Sequence, residues 1–202
     1  MTPLEVMTGL LNTAEIPGPR SNPQITAMYR AVGHSEPLDD STTAWCAACT
    51  GYALKTGGAK YLKTLTARSY CDYGNSVPVA DMQAGDIFVF WRGSRSGWQG
   101  HVGLIYSITP TTITTIAGNE SDRVKLTVHT RAEFLSKLLC IQRPIMLKPA
   151  NPVKVAAVAT PTVIAAATVT ELAPHTWPYW LAGLAVCGII GYLVAKWRKW
   201  LW

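Results

Sequence analysis

The 202-residue chain lacks a strong charge of one sign where a folded domain would sit: residues 1–150 hold 14 Lys and Arg against 11 Asp and Glu. That small excess argues against a basic nucleic-acid-binding surface, and no nucleic-acid partner is expected. A cysteine framework is also missing. The five cysteines, at 46, 49, 71, 140 and 187, are odd in number and scattered, unlike the spacings of a small disulfide-stapled domain. The N-terminus, MTPLEVMTGLLNTAE, has neither a basic n-region nor a long apolar core, so no signal peptide is expected there.

Two further absences divide the chain. Residues 148–176 are mostly Ala, Val, Thr and Pro and lack Phe, Trp and Tyr, which reads as a linker. At about 3.1 Å per residue it would reach on the order of 80 Å if stretched. Residues 177–195 lack any charge, begin with Trp177, Tyr179 and Trp180, and lead into Lys196-Trp197-Arg198-Lys199-Trp200-Leu201-Trp202. An uncharged apolar run with aromatic and basic residues at its ends is expected to be a transmembrane helix, with 196–202 as an interfacial tail. The positive-inside tendency places that basic tail in the cytoplasm and residues 1–147 on the cell-wall side.

What is present in residues 1–147 is a run of helix signals followed by a run of strand signals. Helices are expected over 3–14, with Thr2 as cap and Pro3 at the first helical position, over 23–32, over 44–56 stopped by Gly57-Gly58, and as a shorter piece over 66–73. From Gly85 the period changes. Strands are expected over 87–91, 101–108, 112–118, 125–129 and 139–143, with a short helix over 131–138 before the last. Helices first and an antiparallel sheet after predict an α+β domain.

One stretch carries chemistry. In Asp40-Ser41-Thr42-Thr43-Ala44-Trp45-Cys46-Ala47-Ala48-Cys49, a polar run turns into an apolar helix with Cys46 in its first turn. There unpaired N–H groups and the positive end of the helix dipole favour a thiolate. A thiolate nucleophile needs a base, and the base needs an orienting group. Of the four histidines, His101 opens a strand directly after the Gly-rich loop 94–100. If the strands on either side turn around Pro110, opposed residues have numbers totalling 220, which sets Asn119 opposite His101. A slip of one residue would bring Glu120 there instead.

The segments DDSTTAWCAACTGYAL, TARSYCDYG, AGDIFVFWRG, GHVGLI and IAGNESDRV resemble the papain-like peptidoglycan hydrolases of the CHAP and NlpC type, and most of all the single-domain endolysins of bacteriophages. The resemblance covers roughly residues 35–145. It implies a papain-like fold and a hydrolase that cleaves an amide of the cell-wall peptide, as endopeptidase or as amidase between sugar and peptide. In it Cys46 is the nucleophile, His101 the base and Asn119 the orienter, and Asp40 shapes the site or the loop before the helix. Trp45, Tyr73 and Trp98 are candidates for the substrate groove. Peptidoglycan and, through residues 177–195, the lipid bilayer are the partners implied, with a phage holin or virion proteins as further candidates. Bacterial lysis and phage entry are the two settings, in the host inner membrane or a virion membrane. No cofactor is implied, and Asp39 and Asp40 alone supply too few oxygen ligands for a calcium site.

Two other readings share these residues. Trp45-Cys46-Ala47-Ala48-Cys49 resembles the W-C-x-x-C of thioredoxin-like oxidoreductases, but those carry a long apolar strand into the motif, and here residues 38–43 are polar. The other is a membrane-tethered wall-binding or virion structural module without activity, against which the combination of cysteine, histidine and asparagine argues.

Overall fold

The computed structural model describes residues 1–17, 20–36 and 38–147, all within one compact unit, Met1–Val153. The expected linker over 148–176, membrane helix over 177–195 and tail over 196–202 lie outside the described residues. Among the described residues no helix is long and apolar enough to cross a membrane.

Three helices come first: α1 (Pro3–Gly9), α2 (Pro23–Ala31) and α3 (Cys46–Thr56). The α1 start is a capping box, in which the Thr2 hydroxyl accepts from the Glu5 N–H while the Glu5 carboxylate accepts from the Thr2 N–H. It ends earlier than the periodicity suggests, because the chain turns at Leu10 and Asn12 takes a positive φ of 67°. In α2 the Asn22 side chain caps the helix and Pro23 stands at its first position. The α3 helix is built from small residues and is buried almost throughout. Its Gly51 lies so close to α2 that a Cβ there would come within 2.4 Å of Val32 Cγ1.

The expected helical piece after residue 66 is a 3-10 segment, Ala67–Asp72. Five strands follow: β1 (Ile87–Trp91), β2 (Gly100–Ile108), β3 (Thr112–Ala117), β4 (Lys125–Thr130) and β5 (Leu138–Gln142), with α4 (Arg131–Lys137) before the last. They form one antiparallel sheet in the order β4-β3-β2-β1-β5, so the α+β expectation holds. The uninterrupted apolar run of β1 follows from its place inside this sheet. Ile87 and Val89 join the core under α1–α3, whereas Phe88 and Phe90 join a second core with Ile105, Ile113, Ile141 and Phe134 of α4. A strand covered on both faces has no polar alternation to show.

One cysteine pair departs from the sequence reading. Cys71 and Cys140 form a disulfide with a Cα–Cα distance of 5.6 Å, tying the 3-10 segment to β5. Sixty-nine residues separate the two, so no local spacing pattern announces the bond.

Candidate active site

Cys46 is the first residue of α3, and Trp45 provides the cap position without a side-chain hydrogen bond. The helix start is fixed from several sides. The Trp45 indole N–H donates to Glu15 Oε1 at 2.8 Å, and the Thr50 hydroxyl donates to the Cys46 carbonyl at 3.0 Å. The preceding loop is tied to α2, since the Asn22 N–H donates to Asp40 Oδ2 at 2.7 Å. Asp40 is buried and shapes the loop without entering the cleft.

His101 lies near the start of β2, opposite Phe90 of β1, and is 5% exposed. Its Nε2 is 3.4 Å from Glu120 Oε2, and the other carboxylate oxygen, Oε1, accepts from the Thr127 hydroxyl at 2.7 Å. On the opposite side of the ring, Arg92 Nη2 stands 3.1 Å from Nδ1. An ionised carboxylate only accepts and a guanidinium only donates. Both contacts therefore select one tautomer, with the proton on Nε2 and the lone pair on Nδ1.

The electrostatics of the three groups reinforce one another. Burial works against the Cys46 thiolate, but the hydrogen bond and charge of His101, the Val102 N–H and the Arg92 charge outweigh it and hold the thiol below its usual pKa. Burial also works against a charged His101, yet hydrogen bonds to Cys46 and Glu120 outweigh it and raise the imidazole above its usual range. For Glu120, burial is overcome by the hydrogen bonds from His101 and Thr127, which lower the carboxyl to about 2. Cys49, one turn along α3, has only the Gly118 N–H in its favour, and burial pushes its thiol up to about 12.

Two clefts flank the group. One of about 500 Å³ holds Cys46 with Thr42, Thr43, Thr66, Trp98 and Gln99 along its walls. The other, of about 290 Å³, holds His101, Glu120, His129 and Lys137. Trp98 is 80% exposed on the first cleft, where a groove residue was expected. Trp45 and Tyr73 line neither cleft. Trp45 is fully buried beneath the helix start, and the Tyr73 hydroxyl sits in the core, donating to the Lys60 carbonyl and accepting from the Ile145 N–H at 3.0 Å.

Asn119 is not the residue that contacts His101; Glu120 is. No register slip causes this, because Leu104 pairs with Ile116 and Ile105 with Thr115, as the total of 220 requires. The pairing with β2 simply stops at Ile116, and the strand itself ends at Ala117. Asn119 then takes a left-handed φ of 54°, and the turn through Ser121 and Asp122, also at positive φ, closes with the Glu120 N–H donating to the Arg123 carbonyl. The chain is curled rather than extended where the pairing was extrapolated.

Three residues that contact or brace the site escaped the sequence reading. Glu15 holds Trp45 from a loop 30 residues away. Arg68 donates to the carbonyls of Gln99, Arg95 and Ser94 and so braces the loop carrying Trp98. Arg92 follows the apolar strand directly, and a charge ending a buried strand was the signal available for it.

Residues 38–119 match the CHAP domain. The matched span opens two residues before Asp40 and closes at Asn119, so it contains Cys46, Arg92 and His101 and stops one residue short of Glu120. No curated protein matches the chain. Among solved structures, one described as similar to a lipoprotein of the NLP/P60 family, from Staphylococcus aureus, aligns with a TM-score of 0.45 at 12% identity. That alignment covers 72% of this chain and 41% of the other, so this chain spans less than half the length of that protein.

The CHAP match bears on the competing redox reading through its surroundings. Residues 40–42 form a turn and no strand leads into Cys46. Cys46 has a histidine beside it, an arrangement that amide cleavage uses and disulfide exchange does not require.

Proposed function

We propose that this chain is a peptidoglycan hydrolase of the CHAP type that cleaves an amide bond of the wall peptide. The observation that carries the reading is the hydrogen-bonded pair of buried His101 and Glu120 beside Cys46, whose thiol His101 holds below its usual pKa, with a cleft on either side and the CHAP match over Cys46 and His101. In the proposed cycle the Cys46 proton passes to Nδ1 of His101, and the thiolate attacks the amide carbonyl carbon. The Cys46 N–H, at the first helical position and without an intrahelical acceptor, donates to the developing oxyanion. His101 returns its proton to the leaving amine as the C–N bond breaks, which leaves a thioester. Water, deprotonated by His101, then attacks the thioester, and the C–S bond breaks to release the acid and the thiol.

Glu120 takes the orienting role in this proposal. It accepts a hydrogen bond from Nε2–H, fixes the tautomer and stabilises the imidazolium, as the third member of a triad does. Asn119 acts by its backbone, turning the chain so that Glu120 reaches the ring.

We further propose that the chain is anchored in a membrane by residues 177–195, with the catalytic unit facing the wall, and that it serves phage-driven lysis or entry. The uncharged run with aromatic and basic flanks supports the anchor. The Cys71–Cys140 disulfide supports an oxidising surrounding, where such bonds persist. In a zymogram the full chain should clear a band of peptidoglycan, and Cys46→Ala should abolish the clearing. Undiminished clearing by that variant would overturn the mechanism.

A further inference from the structure

We propose that Arg92 is the residue that recognises a free carboxylate on the substrate peptide, and that its resting contact with His101 competes with Cys46 for the base's lone pair until that carboxylate arrives. The inference rests on the hydrolase reading above and names the substrate class of the same site.

The position of Arg92 comes first. It is the one residue shared by both clefts, and it is the sole charged residue along the cleft that holds Cys46. A peptide laid from one cleft to the other passes its guanidinium. The donors come second. Arg68 spends its side-chain N–H groups on three loop carbonyls, and Arg143 is paired with Asp86 at 2.9 Å. Among the described residues Arg92 has no acidic partner, and the single side-chain hydrogen bond it makes is to His101 Nδ1. A guanidinium offers five N–H donors in a fork that matches a carboxylate, so most of its capacity is unspent. The neighbouring acid does not claim it: Glu120 is turned to His101 and Thr127 and makes no hydrogen bond to Arg92. Lys137 adds a second cation to the base-side cleft.

The gating consequence follows from the nitrogen that Arg92 touches. Glu120 accepts a hydrogen bond from Nε2–H, so Nδ1 carries the only lone pair with which His101 can accept a proton. Arg92 donates into that lone pair, and its charge also disfavours an imidazolium beside it. A substrate carboxylate would draw the guanidinium into a bidentate pair, offset its charge and free Nδ1 to take the Cys46 proton. Binding of the correct peptide and activation of the base are then one event, and energy from a non-reacting part of the substrate is used at the reacting centre.

The test uses the full chain and soluble wall-peptide fragments in three forms: free acid, C-terminal amide and side-chain amide. Wild-type protein should cleave the free acid with a kcat/KM about 10- to 100-fold above one of the two amides, and which amide fails identifies the carboxylate. Arg92→Gln should cut both forms at one equal, low rate, and Arg92→Lys should keep part of the preference. In a Cys46→Ser background, which measures binding without turnover, the free acid should bind more tightly than that amide and should shift the Nδ1 nitrogen resonance of His101. Equal kcat/KM for all three peptides in the wild type would overturn the inference and leave the hydrolase reading standing. A discriminating peptide that leaves the Nδ1 resonance unmoved would overturn the gate. If no peptide is cleaved but Cys46→Ser still binds the free acid more tightly, Arg92 recognition stands and the hydrolase reading fails.

Discussion

At the scale of single residues, the two cysteines of α3 differ because their neighbours differ, not because their positions do. Both are buried and each has a backbone N–H beside its sulfur, but only Cys46 also has an imidazole and a guanidinium to hold its thiolate. Iodoacetamide should therefore alkylate Cys46 at a pH well below that of an ordinary thiol, and His101→Ala should move the profile upward. Cys49 should stay unmodified in the folded protein, and Cys49→Ser should remain active. Mass spectrometry of the alkylated peptides across a pH series checks all three. Glu120 carries a pH prediction of its own. Its carboxyl titrates near 4.5 when unfolded and at about 2 when folded, so between these values the unfolded chain binds a proton that the native one does not. Its contribution to stability is complete above about 4.5 and is lost as pH falls towards 2. The melting temperature of the wild type should drop across this window more steeply than that of Glu120→Gln. The sequence carried the identities of Cys46 and His101, because a cysteine at a helix start and a histidine at a strand start are each visible in local pattern. It left the choice between Asn119 and Glu120 open, because a strand's end depends on where its neighbour stops pairing.

At the scale of elements, the starts and stops written in short-range chemistry were legible. Thr2 with Pro3, Gly57 after α3 and the turn at Thr109–Thr112 are all used as their residue types suggest. The hairpin held a compensation that local chemistry does not display. Near the turn Ile108 pairs with Ile113 and Ser107 with Thr114, and an irregularity between Ile105 and Ser107 then restores the register at the site end. A bulge of this kind re-aims the residues beyond it. Close packing between α3 and β3 was equally invisible. Gly118 is where that packing is tightest, since a Cβ there would stand 2.6 Å from both Trp45 Cζ3 and Cys49 Cβ. Trp45 has no room to retreat, being fully buried and held by Glu15. Gly118→Ala should cost about 1–3 kcal/mol, a loss of several degrees in melting temperature. It should also lower turnover, because the displaced indole belongs to the residue next to Cys46. Thermal denaturation with parallel kinetics separates the two effects.

At the scale of the whole molecule, the order of segments made the fold class readable, since three helices ahead of five strands admit few layered arrangements. The Cys71–Cys140 link was not readable, because contacts that far apart in sequence follow from topology rather than from pattern. Closing a loop of that length stabilises the folded state by about 4 kcal/mol in the chain-entropy view. That bond and the anchor proposed for residues 177–195 make one joint claim about where the chain works, the first through redox chemistry and the second through hydrophobicity. Together they support the proposal of a catalytic unit outside the cytoplasm, by the disulfide, and attached to the bilayer, by the apolar run. In a host expressing the full chain, the protein should sediment with membranes and resist extraction by high salt but not by detergent. Protease added to intact spheroplasts should digest the catalytic unit, and thiol labelling without reductant should leave Cys71 and Cys140 unmodified. A chain lacking residues 177–202 should appear in the soluble fraction and still cleave wall peptides. Protection of the catalytic unit in spheroplasts, together with labelling of Cys71 and Cys140, would place the enzyme in the cytoplasm and overturn the proposed orientation.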